Sequence, residues 1–209
     1  MKHALYRLLL CLCCVAGTHT AMAQEIDKLF VAMPDQYLPY LDSAWRKDLV
    51  DLYKSGKEAT LKNTMNGQST LKTLTADYLL LQATQRSTIE LKLLPLVNNT
   101  HLICMVRTVF APVADSQLRF FTSEWKELDA KEMFTPPTKA DFVRKKADLK
   151  RLDCIDIDLF FYSLSANDNV LSIGYASPEY MSEEMKADVK PLLKEGPLVF
   201  KWDSFRFKR

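Results

Sequence analysis

From residue 60 onward, apolar and polar positions alternate with the two-residue period of strands. In TIELKLL (88–94), Ile89, Leu91 and Leu93 share one face while Glu90 and Lys92 share the other, the mark of a half-buried strand. LKNT (61–64) and STLKTL (69–74) flank Met65-Asn66-Gly67-Gln68, and Asn-Gly between apolar runs is a strong short hairpin signal. DYLLLQAT (77–84) follows, and Gln85-Arg86-Ser87 turns it into TIELKLL. Asn98-Asn99 then leads into THLICMVRTVF (100–110), and Pro112 to Ser116 into QLRFFTSEW (117–125). The pattern predicts a meander of about six antiparallel strands. THLICMVRTVF is apolar on both sides, with Leu102, Cys104, Val106 and Thr108 opposed to His101, Ile103, Met105, Arg107 and Val109. Such a strand belongs in the centre of a sheet covered on two faces.

Elsewhere the period lengthens. IDKLFVAMP (26–34) leads into a helical region. In DSAWRKDLVDLYKSG (42–56), Ala44/Trp45, Leu49 and Leu52/Tyr53 recur at helical spacing, with Ser43 as N-cap and Gly56 as stop. Arg46, Lys47, Asp48 and Asp51 are then expected to face water. After Pro136-Pro137, TKADFVRKKADLKRL (138–152) reads as a helix with a basic outer face. Strands resume with IDIDLFFYSL (155–164), the turn 166–169 and VLSIGY (170–175). Ser182-Glu183-Glu184 opens a helix that Pro191 ends, and Gly196-Pro197 precedes a last strand, LVFKW (198–202). The expected class is α+β: a long antiparallel β-meander of about eight or nine strands with a few helices packed on one face.

The N-terminus alters the composition of the mature chain. Lys2, His3 and Arg7 precede the apolar run Leu8 to Ala16, which is too short to cross a bilayer as a helix. Ala21-Met22-Ala23 fits a signal-peptidase site, so residues 1–23 read as a signal peptide cleaved between Ala23 and Gln24. Residues 24–209 then form a single α+β domain, exported and periplasmic, with no transmembrane segment. Removal of Lys2 and Arg7 takes the 28 basic residues to 26, equal to the 26 acidic ones. A neutral mature chain gives no reason to expect nucleic acid as a partner. Cys11, Cys13 and Cys14 leave with the leader. Cys104 and Cys154 remain, and in an oxidising compartment they could form a disulfide or stay as free thiols.

Candidate chemistry is sparse. The glycines remaining after cleavage, Gly56, Gly67, Gly174 and Gly196, are too scattered to cradle a phosphate, and the metalloprotease, Cys-x-x-Cys and serine-hydrolase motifs are absent. No catalytic residue, metal ligand or cofactor is expected. Ser69/Lys72 and Ser123/Lys126 each spell Ser-x-x-Lys, but on a strand residues three apart point to opposite faces. The same spacing separates His101 from Cys104 and prevents a Cys-His nucleophile pair. Asp153, Asp156 and Asp158 form an acidic cluster that reads first as a wet strand face and second as an acid/base or cation site. Arg144-Lys145-Lys146 reads first as a solvated helix face and second as an anion site. KWDSFRFKR (201–209) reads first as a last strand burying Phe200 and Trp202 with a frayed charged end, and second as a docking segment for an acidic partner or an anionic membrane surface. Asn98-Asn99-Thr100 matches a glycosylation sequon only formally.

LFVAMPDQYLPYLDSAWRKDLVDLY, NGQSTLKTLTADYLLLQ, STIELKLLPL, LRFFTSEWKEL and PEYMSEEMKADVKPLLKEGPLVFKW together resemble an uncharacterised family of secreted Bacteroidales proteins that carries only a domain-of-unknown-function label. The resemblance covers nearly the whole mature chain and brings no catalytic residues. It implies an exported protein of a Gram-negative anaerobe. It also draws attention to Asp42-Ser43-Ala44, similar to the triplets O-glycosylated in such bacteria, which makes Ser43 a candidate acceptor. The expected role is a non-catalytic module of the cell envelope, binding an envelope protein or an apolar small ligand. The alternatives are an envelope carbohydrate hydrolase using paired carboxylates, or an inhibitor or scaffold of an envelope enzyme.

Overall fold

A computed structural model of the chain describes residues 20–209. Most of the expected signal peptide, residues 1–19, lies outside the described residues. Helix α1, Thr20–Ala32, runs through the expected cleavage point and presents Ile26, Phe30 and, just beyond its end, Met33 to the core. Pro34 stops it, because the residue before proline is driven out of the helical region. Helix α2, Ser43–Lys54, buries Arg46, Leu49 and Val50. Its N-cap is Asp42, whose carboxylate accepts from the Trp45 N–H at 3.0 Å, and not Ser43, which occupies the first helical position. Gly56, with φ +71°, closes the other end: its N–H donates to Tyr53 and that of Lys57 to Leu52, a Schellman pair.

The meander is longer than its periodicity predicts. β1 (Thr60–Lys62), β2 (Gln68–Leu74), β3 (Tyr78–Thr84), β4 (Ser87–Pro95), β5 (His101–Phe110), β6 (Ala114–Phe121) and β7 (Glu127–Leu128) form a seven-stranded antiparallel sheet in chain order. The β1–β2 turn is built on Asn63, whose side-chain oxygen accepts from the N–H groups of Met65 and Gly67, while Asn66 takes φ +61°. A second antiparallel sheet holds β8 (Phe160–Leu164), β9 (Val170–Tyr175), β10 (Leu198–Trp202) and β11 (Phe207–Lys208) in the order β11-β10-β9-β8. Helices α3 (Ala130–Met133), α4 (Lys139–Phe142) and α5 (Glu183–Val189) lie in the connections. The class is α+β, but the strands expected in one sheet are divided between two.

This division sets what each face of the large sheet meets. Ile89, Leu91, Leu93, Ile103, Met105 and Phe121 pack with α1 and α2 in one core. Cys104, Val106 and Phe120 pack on the other side against Tyr162, Ile173 and Trp202 of the second sheet. The polar face of β4 is therefore not wet, as expected from its alternation, but sandwiched: Glu90 is 5 % exposed and Lys92 1 %. Each has partners. The Tyr78 hydroxyl and the Leu164 N–H both donate to Glu90 Oε2 at 2.9 Å. Lys92 pairs with Asp77 at 2.9 Å and donates to the Ala166 carbonyl. β8 is an edge strand of the second sheet, and Ser116 of β6 accepts from its Tyr162 N–H just as Glu90 accepts from its Leu164 N–H. Side chains of the first sheet thus satisfy an edge that would otherwise be buried with unpaired donors.

Two further expectations are corrected. IDIDLFFYSL is a strand only from Phe160: Leu159 N–H is taken by Ser177 Oγ, Ile155 N–H closes a turn on Leu152, and Asp156, Ile157 and Asp158 lie exposed on an irregular stretch. The expected helix over 138–152 is broken because Phe142 and Arg144 exchange backbone hydrogen bonds with Lys194 and Leu192, and Val143 bridges Leu193. What remains is α4 and a 3-10 turn, Lys146–Leu152.

Candidate functional site

A surface cleft lies beside the β5–β6 turn and the outer face of β8–β9. Tyr162 and Ile173 point into the core, so their neighbours Phe161 and Gly174 point outward, and register pairs these two across the ladder. Because residue 174 has no side chain, nothing stands opposite Phe161. A Cβ built there would meet only the Phe161 carbonyl oxygen, at 4.0 Å. The missing side chain leaves the backbone of β9 open at this step. The resulting cleft, about 530 Å³, is walled by Pro112, Val113 and Ala114 of the β5–β6 turn, by Phe161, and by Tyr175 and Glu179. Phe110 packs against Phe161 at its rim, ring centroids 6.2 Å apart, and each is 37 % exposed.

Tyr175 and Glu179 also wall a second cleft of about 520 Å³, bounded by α5 and the 3-10 turn Ser177–Tyr180. Tyr175 is fixed from below by stacking on Phe142, with centroids 5.4 Å apart and planes at 22°. Its hydroxyl donates to Asp158 at 2.6 Å. Burial, then this hydrogen bond, pushes the phenol well above its ordinary range, so it keeps its proton at neutral pH. The second cleft is basic: Arg144, Lys186, Lys190 and Lys194 face Glu179 and Glu195. Arg144 pairs with Glu195 at 2.6 Å and Lys186 pairs with Glu179. Among the described residues, Lys190 and Lys194 make no ion pair; Lys194 donates to the Asp141 carbonyl. The two clefts share Tyr175 and Glu179 as lining residues, with mainly apolar side chains around the first and four cationic ones around the second.

Family and structural comparisons agree on one relationship. The family model described as "Protein of unknown function (DUF3256)" matches residues 18–207. The chain belongs to the DUF3256 family. A solved domain of an uncharacterized protein from Porphyromonas gingivalis W83 is 30 % identical, with a TM-score of 0.75 over 88 % of this chain and 98 % of that one. Comparison with curated proteins finds no match.

In this DUF3256 chain the residues singled out by sequence stand apart from one another. Cys104 and Cys154 are both free, which corrects the disulfide alternative. Cys104 is wholly buried between the sheets, where burial and the nearby Glu90 push its thiol well up. Cys154 is exposed beyond the 3-10 turn, its thiol donating to the Arg151 carbonyl. In a chain lacking residues 1–23, a thiol reagent is therefore expected to titrate one of these two cysteines in the folded protein and the second only in denaturant; two rapidly reacting thiols would refute this placement. Ser43 is exposed, and its hydroxyl is not the helix cap. Ser69 is buried, donating to the Ala83 carbonyl, while Lys72 on the opposite face is exposed. Asp156 and Asp158 line none of the clefts described here, and among the described residues no three His, Cys, Asp or Glu side chains gather as metal ligands. Arg144 alone of the basic run reaches the basic cleft. The C-terminal run folds back as β10–β11, with Trp202 and Phe207 buried and Phe205 exposed. No helix among the described residues is long and apolar enough to cross a membrane.

Phe161, Gly174, Tyr175, Lys190 and Lys194 carry no motif. The one available signal was the turn at 166–169, which places residue 161 opposite 174 in an antiparallel hairpin.

Proposed function

We propose that the protein is an exported, periplasmic, non-catalytic binding module of the cell envelope, which takes its ligand or protein partner in these two clefts, used as the two lobes of one site around Tyr175. The observation that carries this reading is the open Phe161–Gly174 step: an apolar wall held clear of side chains on the outer face of β8–β9. Sites of this size, apolar with a few placed polar groups, are the usual form of ligand pockets. Several buried groups with raised acid-base ranges support the same reading from the other side. Glu90, Tyr78 and Cys104 lie between the sheets, and Tyr175 is committed to Asp158, so none is placed to exchange a proton with a molecule in the cleft. The carbohydrate-hydrolase alternative has no such support, since Asp158 is engaged by Tyr175 and neither Asp156 nor Asp158 lines either cleft.

Gly174→Leu tests the proposal. The position has no left-handed φ and free space at its Cβ, so the strand should tolerate leucine with a stability change within about 0.5 kcal/mol. The side chain would fill the apolar lobe. In quantitative affinity capture from native envelope fractions, the variant should recover its partner at least about tenfold less than wild type, a loss of about 1.4 kcal/mol. Equal recovery by a folded Gly174→Leu protein would remove this cleft from the function.

A further inference from the structure

The charge and polarity of the two lobes specify the occupant more closely, on the assumption that the cleft is the binding site. We infer that it takes an extended peptide segment in which apolar side chains are followed by carboxylates. The apolar part belongs against Phe161, Val113 and the open Gly174 backbone. The carboxylates belong across Tyr175, where four cationic side chains face two anionic ones. Arg144–Glu195 and Lys186–Glu179 neutralise each other, which leaves Lys190, and Lys194 beyond its one hydrogen bond to the Asp141 carbonyl and the field of the Asp141 carboxylate, to meet an incoming anion. An acidic oligosaccharide would satisfy the lysines but not the apolar lobe. The only polar side chains on that side are Tyr175, whose hydroxyl is already donated to Asp158, and Glu179. Sugar hydroxyls would be desolvated there with almost no partners, whereas an apolar side chain gives up nothing on entry.

Glu179 makes the inference separable from a structural role. It lines both lobes and neutralises Lys186, so it opposes an acidic ligand at the junction. Removing its charge should strengthen binding, an effect that loss of a merely structural contact would not produce.

The experiment is a fluorescence-anisotropy titration of the full mature chain with a labelled Leu-Phe-Val-Glu-Asp-Glu peptide. The controls are the same peptide with Gln and Asn in place of its acids, and an acidic tetrasaccharide. The acidic peptide should bind, weakening severalfold as salt is raised. Lys190→Ala with Lys194→Ala should weaken it by about tenfold, and Glu179→Gln should tighten it by about threefold. Equal binding of the neutral peptide, indifference to the lysine substitutions, or binding of the tetrasaccharide in place of the peptide each overturns the inference. If neither peptide binds while Gly174→Leu still abolishes native capture, the peptide assignment fails and the cleft remains the binding site. If Gly174→Leu leaves capture unchanged, the site itself is wrong.

Discussion

Arg46→Ala is expected to destabilise the protein by about 3–5 kcal/mol, the range for removing one partner of a buried charged network. The guanidinium is 1 % exposed and fills the junction of α1, α2 and the turn between them. Its Nε and Nη2 donate to the Val31 carbonyl at 3.3 and 3.1 Å, and Nη1 donates to the Leu41 carbonyl at 2.6 Å. Met33 accepts a further bond, and Asp35 lies 3.0 Å from Nη1. Val31 and Met33 are the carbonyls left unpaired where Pro34 stops α1, so Arg46 serves as a C-cap delivered from another helix. The exposed Asp35 adds little; the stranded carbonyls dominate. Arg46→Lys should recover only part of the loss, because a compact ammonium cannot span carbonyls that a planar fork reaches together. Urea denaturation of the three proteins checks this. A loss under about 1 kcal/mol for Arg46→Ala would mean that water enters and satisfies the carbonyls.

Arg46 also shows where sequence reading stops. The period of α2 was legible, and so was its Gly56 stop, because both depend on residues a few positions apart. The direction of Arg46 was not: a long polar side chain on a helix flank reads as solvated unless its acceptors are known, and these come from the end of another helix. β4 has the same history at larger scale. Alternation in TIELKLL locates the strand and its apolar face, but the period is identical whether the second face meets water or a second sheet. The groups that settle the matter, Leu164 and Ala166, lie 74 positions beyond Glu90 and Lys92. β5 was the informative case, since apolar residues on both of its sides signalled two covering layers. Extending that inference to its neighbour β4 would have predicted that Glu90 and Lys92 are buried. The cleft was less legible still. It depends on a turn after β5, a glycine in β9 and a segment before α5 arriving at one place, and none of these carries a local chemical signature.

Glu90→Ala is expected to cost about 3 kcal/mol, because it strands two buried donors, the Tyr78 hydroxyl and the Leu164 N–H, each at about 1–3 kcal/mol. Part of that loss is offset at neutral pH, and the offset is what makes the residue diagnostic. Burial raises the Glu90 carboxyl to about 6 from an ordinary 4.5, against the opposing pull of the Tyr78 and Leu164 hydrogen bonds. Between those two values the folded protein holds the proton more tightly than the unfolded chain does. Stability from this group is therefore fully present below pH 4.5 and is lost as pH rises through 6. The loss amounts to about 2 kcal/mol at pH 7, from the difference between 4.5 and about 6. Glu90→Gln keeps an acceptor oxygen for both donors and cannot ionise. Relative to wild type, it should gain about 2 kcal/mol between pH 4.5 and pH 7 in paired denaturation curves, whatever the other carboxylates contribute to both proteins. A difference between the two proteins that does not change with pH would show that Glu90 is solvated or paired as an ion in solution. The second sheet would then sit on the first through a wetter contact than its edge-strand hydrogen bonds require.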